Sequence, residues 1–142
     1  MANPRVDFYV LDDADEDRRQ VYLCRVVEKA TRQGHSVWIH APVTATALDE
    51  RLWTFSQGSF VAHELAGPDA DAECPVLIGD RGEPDAARDV LVNDSGEVPP
   101  FLESFGRVAE VINADPESRR RGRERFRQYR ERGYELQHHE VG

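Results

Sequence analysis

The chain has 142 residues, a net charge of −9 and an apolar share of 39%, the balance of a soluble globular protein. That length suits one domain, 1–142, large enough to need neither a disulfide nor a metal staple. No apolar run approaches the ~20 residues of a membrane span, and the opening MANPRVDFYVLDD lacks the pattern of a secretory signal, so a cytoplasmic location is expected.

Val6–Leu11 is a short run of β-branched and aromatic residues, predicted as a buried strand. Asp12, Asp13, Asp15, Glu16 and Asp17 follow it, and carboxylates favour a helix N-terminus. A helix is expected from there to about Gln33, with Val21, Cys24, Val27 and Ala30 as its apolar stripe and Gly34 as its C-terminal cap. Ser36–Ala41 reads as a second strand. A short helix starts near Thr44 and carries Ala45, Leu48, Leu52 and Trp53. Ser59–Ala66 is read as a third strand, and Pro75–Gly79 and Asp89–Asn93 as brief apolar ones.

Pro99-Pro100 opens a further predicted helix, in which Phe101, Phe105, Val108, Ala109 and Ile112 recur at helical spacing. Asp115-Pro116 is an N-cap followed by proline at the first helical position, so a last helix spans about 116–132, closed by Gly133. Residues 137–142 are expected to be a mobile tail. Strands alternating with helices give an α/β class, a mainly parallel sheet flanked by helices.

Chemistry is sparse. Cys24 and Cys74 sit in no CxxC pair and read as free thiols. Asp12, Asp13 and Asp15 lie at the carboxyl end of the first strand, and Asp13-Ala14-Asp15 fits a D-x-D pattern able to hold Mg²⁺ for phosphoryl transfer. That reaction also wants a lysine near the metal, and the sole lysine, Lys29, lies inside the first helix, so the cluster reads as helix cap and solvated acid. No P-loop, no G-x-G-x-x-G after a strand and no G-x-S-x-G occurs. The five histidines show no metal-ligand spacing beyond the adjacent tail pair His138-His139. No catalytic residue, metal or cofactor is expected.

The basic helix is more informative. Residues 119–132 hold eight arginines against two glutamates, a local charge of +6. Glu135 and Glu140 add −2, which leaves −13 on residues 1–118. An acidic body repels a nucleic-acid backbone, whereas the basic segment attracts one, or an acidic peptide. At 100° per residue, Arg119, Arg123, Phe126 and Arg130 fall within an arc of roughly 60°. Gly122, Phe126, Tyr129 and Gly133 form the neighbouring stripe. Guanidinium groups beside an aromatic ring suit a carboxylate-rich peptide with an apolar anchor. The competing reading is a solvated helix, because Arg121, Arg125 and Arg132 lie opposite. A second feature is residues 52–67, LWTFSQGSFVAHELAG, where Trp53, Phe55 and Phe60 serve either as core or as an exposed protein interface.

Taken in order, DFYVLD, GHSVWIHA, LDERLW, SFVAHELAG, PVLIG, RDVLVN and RERFRQYRERGYEL resemble the chi subunits of bacterial DNA polymerase III over nearly the whole chain. The resemblance implies a Rossmann-like fold without nucleotide binding and a non-catalytic accessory role in DNA replication. It also implies two partners: the psi subunit of the clamp loader, and the acidic C-terminal tail of single-stranded-DNA-binding protein, which ends in a hydrophobic residue and a free carboxylate. A helicase-like repair protein that uses the psi surface is a further implied partner, and contact with DNA is indirect.

Carried over by position, the tail site falls on Arg119, Arg123 and Phe126, with Ile112 in the apolar pocket. The best-known member has lysine at the first of these positions and tyrosine at the third. The psi surface falls on Trp53 and Phe60, and Ala62 stands where the family pattern often has proline. Two other classes stay open: a direct single-strand DNA binder using the same arginines with stacking aromatics, and a Mg²⁺-dependent phosphotransferase using Asp12, Asp13 and Asp15.

Overall fold

Along Arg5–Leu11 (β1), Val6 and Phe8 turn to one face of a sheet while Asp7, Tyr9 and Leu11 turn to the other, the two-residue period of an extended chain. This computed structural model describes residues 4–141. The elements that follow are α1 (Glu16–Arg32), β2 (Val37–His40), α2 (Ala45–Thr54), β3 (His63–Leu65), β4 (Val76–Gly79), β5 (Val90–Asn93), β6 (Arg107–Ile112), α3 (Pro116–Glu131) and β7 (Glu135–Val141). A single 3-10 turn lies at Leu102–Ser104. The seven strands form one sheet in the order β3-β4-β2-β5-β6-β1-β7, and every pairing is parallel.

Parallel strands need crossovers, and right-handed crossovers running in opposite directions place their helices on opposite faces. From β1 the chain moves towards β2 and β3, so α1 and α2 share one face with the core cluster of Leu23, Val27, Ile39, Leu48 and Ile78. From β6 it moves the other way across β1 to β7, so α3 covers the other face with Phe8, Leu91, Val108, Ile112 and Tyr129. Asp15 caps α1 through a bond from the Asp17 amide (2.9 Å), and Asp13 accepts from the Asp15 amide (2.7 Å). The acidic run after β1 is thus a helix start. At the amino ends of β2 and β4, the guanidinium of Arg88 donates to the carbonyls of Val37, Pro75, Ala72 and Cys74 at 2.8–3.1 Å.

Three expectations change. The strand read over 59–66 is reduced to His63–Leu65. The helix expected from Pro99 does not form: Phe101 and Phe105 flank the 3-10 turn, and Val108, Ala109 and Ile112 lie in β6. β6 has strands on both sides and is buried on both faces from Val108 onward, so apolar residues occupy both faces and the two-residue alternation is lost. The tail expected to be mobile is, over 137–141, part of β7, which pairs with β1 from Arg5↔Glu135 to Leu11↔Val141. Leu136 packs against the α3-side core and His139 Nε2 lies 2.9 Å from Asp7 Oδ1, which ties down a segment with little strand propensity of its own. Gly142 lies outside the described residues.

Cys24 is fully buried on the inner face of α1, and burial pushes its thiol up to about 12, as expected of an unreactive core cysteine; Cys74 is half-buried and also unpaired. No described helix is long and apolar enough to cross a membrane.

Ending the chain at Glu135 removes the strand pairing and the Leu136 contact. We expect a loss of at least about 2 kcal/mol, read as a fall of roughly 5 °C or more in thermal midpoint. An unchanged midpoint would mean that β7 contributes nothing to the folded state in solution.

Candidate functional site: a cleft between the basic helix and the sheet edge

The two stripes of α3 separate in space as the helical angles require. Asp115 opens the helix by accepting from the amides of Glu117 and Ser118, both at 3.1 Å, with Pro116 at the first position. Gly122, Arg125 and Tyr129 are the buried positions. A Cβ on Gly122 would stand 2.3 Å from Ile112 Cδ1, so the missing side chain is what lets α3 approach β6.

Arg125, which the sequence placed on a solvated face, is buried instead. Its Nε donates to Glu110 Oε1 at 3.1 Å and its Nη1 to the carbonyl of Gly96 at 3.2 Å. Glu110 is 1% exposed in the middle of β6. Its other oxygen accepts from the Tyr129 hydroxyl and from Asn93 Nδ2, each at 2.7 Å. Burial pushes the Glu110 carboxyl above its ordinary value, and Arg125, Asn93 and Tyr129 pull against that push. Burial and the neighbouring Glu110 charge both raise the Tyr129 phenol, which keeps it a donor.

With that face of α3 turned inward, Arg119, Arg123 and Phe126 line a cleft of about 480 Å³ together with Ile112. Phe8, Val10 and Leu11 of β1 and His138 and Glu140 of β7 complete it. All four residues assigned to the tail site by resemblance therefore meet in one place. Phe126 is half-buried and meets Phe8 edge-on, with ring centroids 5.2 Å apart. Arg130, on the same sequence stripe, does not line the cleft. The cleft opens at the carboxyl ends of β1 and β6, where their connections leave for opposite faces of the sheet. Open α/β sheets take ligands at such points.

The arginines of α3 differ in what answers them. Arg120 pairs with Glu117, and Arg127 with Glu124 and Glu131, along the exposed face. Arg119 donates through Nη2 to the Leu11 carbonyl at 3.3 Å, while its Nε has no partner among the described residues. Arg123 is exposed and makes neither an ion pair nor a hydrogen bond among them. Two guanidinium groups with spare donors thus stand over an apolar floor. Asp12 and Glu140 also line the cleft from the β1–β7 side, so an acidic ligand is favoured only along the α3 wall.

Trp53 and Phe60 lie elsewhere. They are 55% and 73% exposed, with ring centroids 5.9 Å apart, beside the 45%-exposed Leu65. Trp53 also packs on the buried His63, whose ring nitrogens meet the carbonyls of Val61 (2.6 Å) and Asp49 (2.9 Å). The patch sits at the β3 edge and the cleft at the β7 edge. With neighbouring strands ≈ 4.8 Å apart, the two are separated by roughly 25 Å. Sequence reasoning missed His138 and Glu140 as cleft residues, because their strand carries no clear periodic signal. Asp12, Asp13 and Asp15 make no metal-ligand cluster among the described residues; Asp13 and Asp15 cap α1, and Arg18 lies 3.3 Å from Asp13.

Fold and cleft define an all-parallel α/β protein with a crevice lined by arginine and phenylalanine at the carboxyl ends of β1 and β6. The sequence profile described as DNA polymerase III chi subunit, HolC, matches residues 3–137, and the chain belongs to that family. It is 45% identical to the DNA polymerase III subunit chi of Pseudomonas aeruginosa over 139 residues, 96% of each chain. It is 31% identical to that of Haemophilus influenzae, covering 95% of this chain and 96% of the relative. It is 29% identical to that of Escherichia coli, covering 91% and 92%.

Because Glu110 is desolvated, Arg125→Ala should cost about 3–5 kcal/mol in urea denaturation by leaving that charge unanswered. Arg123→Ala should stay within about 0.5 kcal/mol of the parent. Equal effects of the two changes would return α3 to a uniformly solvated helix.

Proposed function

We propose that this chain is a non-catalytic adaptor of the DNA polymerase III holoenzyme in the cytoplasm, joining the psi subunit of the clamp loader to the C-terminal tail of single-stranded-DNA-binding protein. The observation that carries the reading is the cleft itself. Among the described residues Arg119 and Arg123 have no carboxylate partner, and the floor beneath them is Phe8, Ile112 and Phe126. An acidic peptide that ends in a hydrophobic residue and a free carboxylate satisfies both halves at once. The guanidinium forks take carboxylates, and the terminal side chain fills the apolar end. Phe126 supplies ring contact without a hydroxyl.

The roughly 25 Å between cleft and Trp53/Phe60 patch supports the two-partner part of the reading, since occupants at opposite sheet edges do not collide. An exposed tryptophan–phenylalanine pair beside Leu65 has the character of an interface anchor for psi, or for a helicase-like repair protein at the same surface. The adaptor needs no chemistry of its own, which agrees with the carboxylates of the first loop acting as caps.

The test is a titration with a labelled acidic peptide ending in Pro-Phe, free and amidated. Binding should saturate, weaken with salt and weaken on amidation. Arg123→Ala should cost about 1–3 kcal/mol of affinity, the range for a charged hydrogen bond, and leave psi binding unchanged. Trp53→Ala should weaken psi by about 2 kcal/mol or more if it is an anchor, and leave the peptide unaffected. No peptide binding at low salt by folded protein would remove the tail-binding half, and loss of both partners in either variant would remove the two-site half.

A further inference from the structure

On the opposite face of the sheet from α3, α1 leaves the β1–β7 edge uncovered. A second cleft of about 500 Å³ runs along its flank, between that helix and strands β1, β6 and β7. Its lining is unusual for a body that carries −13 over residues 1–118. Arg5 and Arg107 rise from the sheet floor, and Arg25 and Lys29 stand on the helix wall. Among the described residues the only carboxylate in the lining is Glu140.

The floor cations are held in place from below. Asp7 is 0% exposed, and Oδ2 meets Arg5 Nε at 3.2 Å and Arg107 Nε at 3.0 Å while Oδ1 meets His139 Nε2 at 2.9 Å. One carboxylate thus orients two guanidinium groups and leaves one positive charge over. The side chains of Arg5, Arg107 and His139 remain 37%, 36% and 43% exposed, so their free donors reach the cleft. On the wall, the ion pairs of α1 engage Arg18, Arg19 and Arg32. Arg25 and Lys29 enter none among the described residues.

Aromatic surface lies between these charges. The His139 ring stacks on Tyr9 with centroids 4.7 Å apart and 15° between planes, and Tyr22 of α1 stands 5.7 Å from Tyr9. Both tyrosines and His139 are only half-buried. The stacked Tyr9–His139 pair, with Tyr22 tilted at 52° to Tyr9, is flanked by fixed guanidinium groups on one side and long-chain cations on the other, which has the chemistry that receives a base on an aromatic face and a phosphate at its edge.

We infer that this cleft is a binding site for nucleoside phosphates, and specifically for a short stretch of single-stranded DNA, with a base on the Tyr9–His139–Tyr22 shelf and phosphates between Arg25/Lys29 and Arg5/Arg107. The site lies on the opposite face of the sheet from the α3 cleft, and the two share only Glu140 and Val141 at the β7 edge. The acidic remainder of the body weakens the approach but does not abolish the contact, because charges beyond about 10 Å are screened at 0.1 M salt.

The experiment is fluorescence anisotropy with a labelled oligothymidylate of about ten nucleotides, at low salt, on the full chain. Binding should appear and fall with salt. The double change Arg25→Glu with Lys29→Glu, at two exposed positions, should reduce the slope of log affinity against log salt by about 2 or more. Tyr22→Ala should weaken binding about five- to a hundredfold. Thermal melts of each variant separate a lost site from a lost fold. Arg119→Ala with Arg123→Ala should leave oligonucleotide binding intact. If that pair abolishes it and the α1 pair does not, the single strand belongs to the α3 cleft and this assignment is overturned. No binding at low salt overturns it too. Thymidine monophosphate as competitor should outdo inorganic phosphate, and equal competition would mean that the shelf takes no base.

Discussion

Glu110 brings a carboxylate into the interior beneath α3, and the placement of that helix follows from how the charge is answered. Two of its three partners, Arg125 and Tyr129, are one turn apart on α3, while Asn93 comes from β5. Two anchors spaced by four residues fix both the rotation of the helix and its position along its axis. Gly122 then falls on Ile112, and Arg119, Arg123 and Phe126 fall on the flank facing β1 and β7. Turning α3 by one residue would carry Arg125 towards solvent and leave the carboxylate with Asn93 alone and no cation, at a cost of several kcal/mol. A well-packed apolar pair of similar volume can be equally stable, so the ion pair contributes orientation more than net stability.

The sequence reveals those parts of the molecule where one residue type has one local job. The N-caps Asp15 and Asp115, the proline after the second, and the apolar runs of β1, β2, β4 and β5 are of this kind, and their elements lie close to where they were expected. It hides the parts where the job is set by distant chain. The spacing of Phe101, Phe105, Val108 and Ile112 satisfies a helix, yet residues of that run enter a strand because β1 and β5 are waiting on either side. β7 has almost no local signal and exists because β1 has a free edge.

At the cleft, the arc of Arg119, Arg123 and Phe126 was legible from helical angles, and Ile112 came from the family resemblance. The inward Arg125 was not legible, because its partner Glu110 reads as one more surface acid until β6 is known to be central. His138 and Glu140 depend in turn on β7.

Charge is divided between regions of the surface more than the net value suggests. On the exposed face of α3, Arg120 and Arg127 are answered by Glu117, Glu124 and Glu131. The clefts on either side of the β1–β7 edge keep unanswered cations. Elsewhere, carboxylates cap α1 or pair within it, as Glu16 and Asp94 do with Arg19 at 2.7 Å each. Burial opposes the Arg19 charge, but those two partners outweigh it and hold the guanidinium firmly protonated. Among the described residues, Arg25 and Lys29 on one side of the open sheet edge and Arg119 and Arg123 on the other are cations without an ion pair.

The position of β1 in the strand order has a consequence for how the chain is made. β1 is the first strand of the sheet to be made, yet its two neighbours, β6 and β7, are the last two. Until residue 107 emerges, the nascent strand has no hydrogen-bonding neighbour, and its second edge stays open until the final residues of β7 are free. Native β1 pairing cannot precede synthesis of β6, so this half of the sheet closes later than the β2–β5 half. Such long sequence separation slows folding, and it leaves an apolar strand exposed while the roughly hundred residues between β1 and β6 are made, an interval open to chaperone capture.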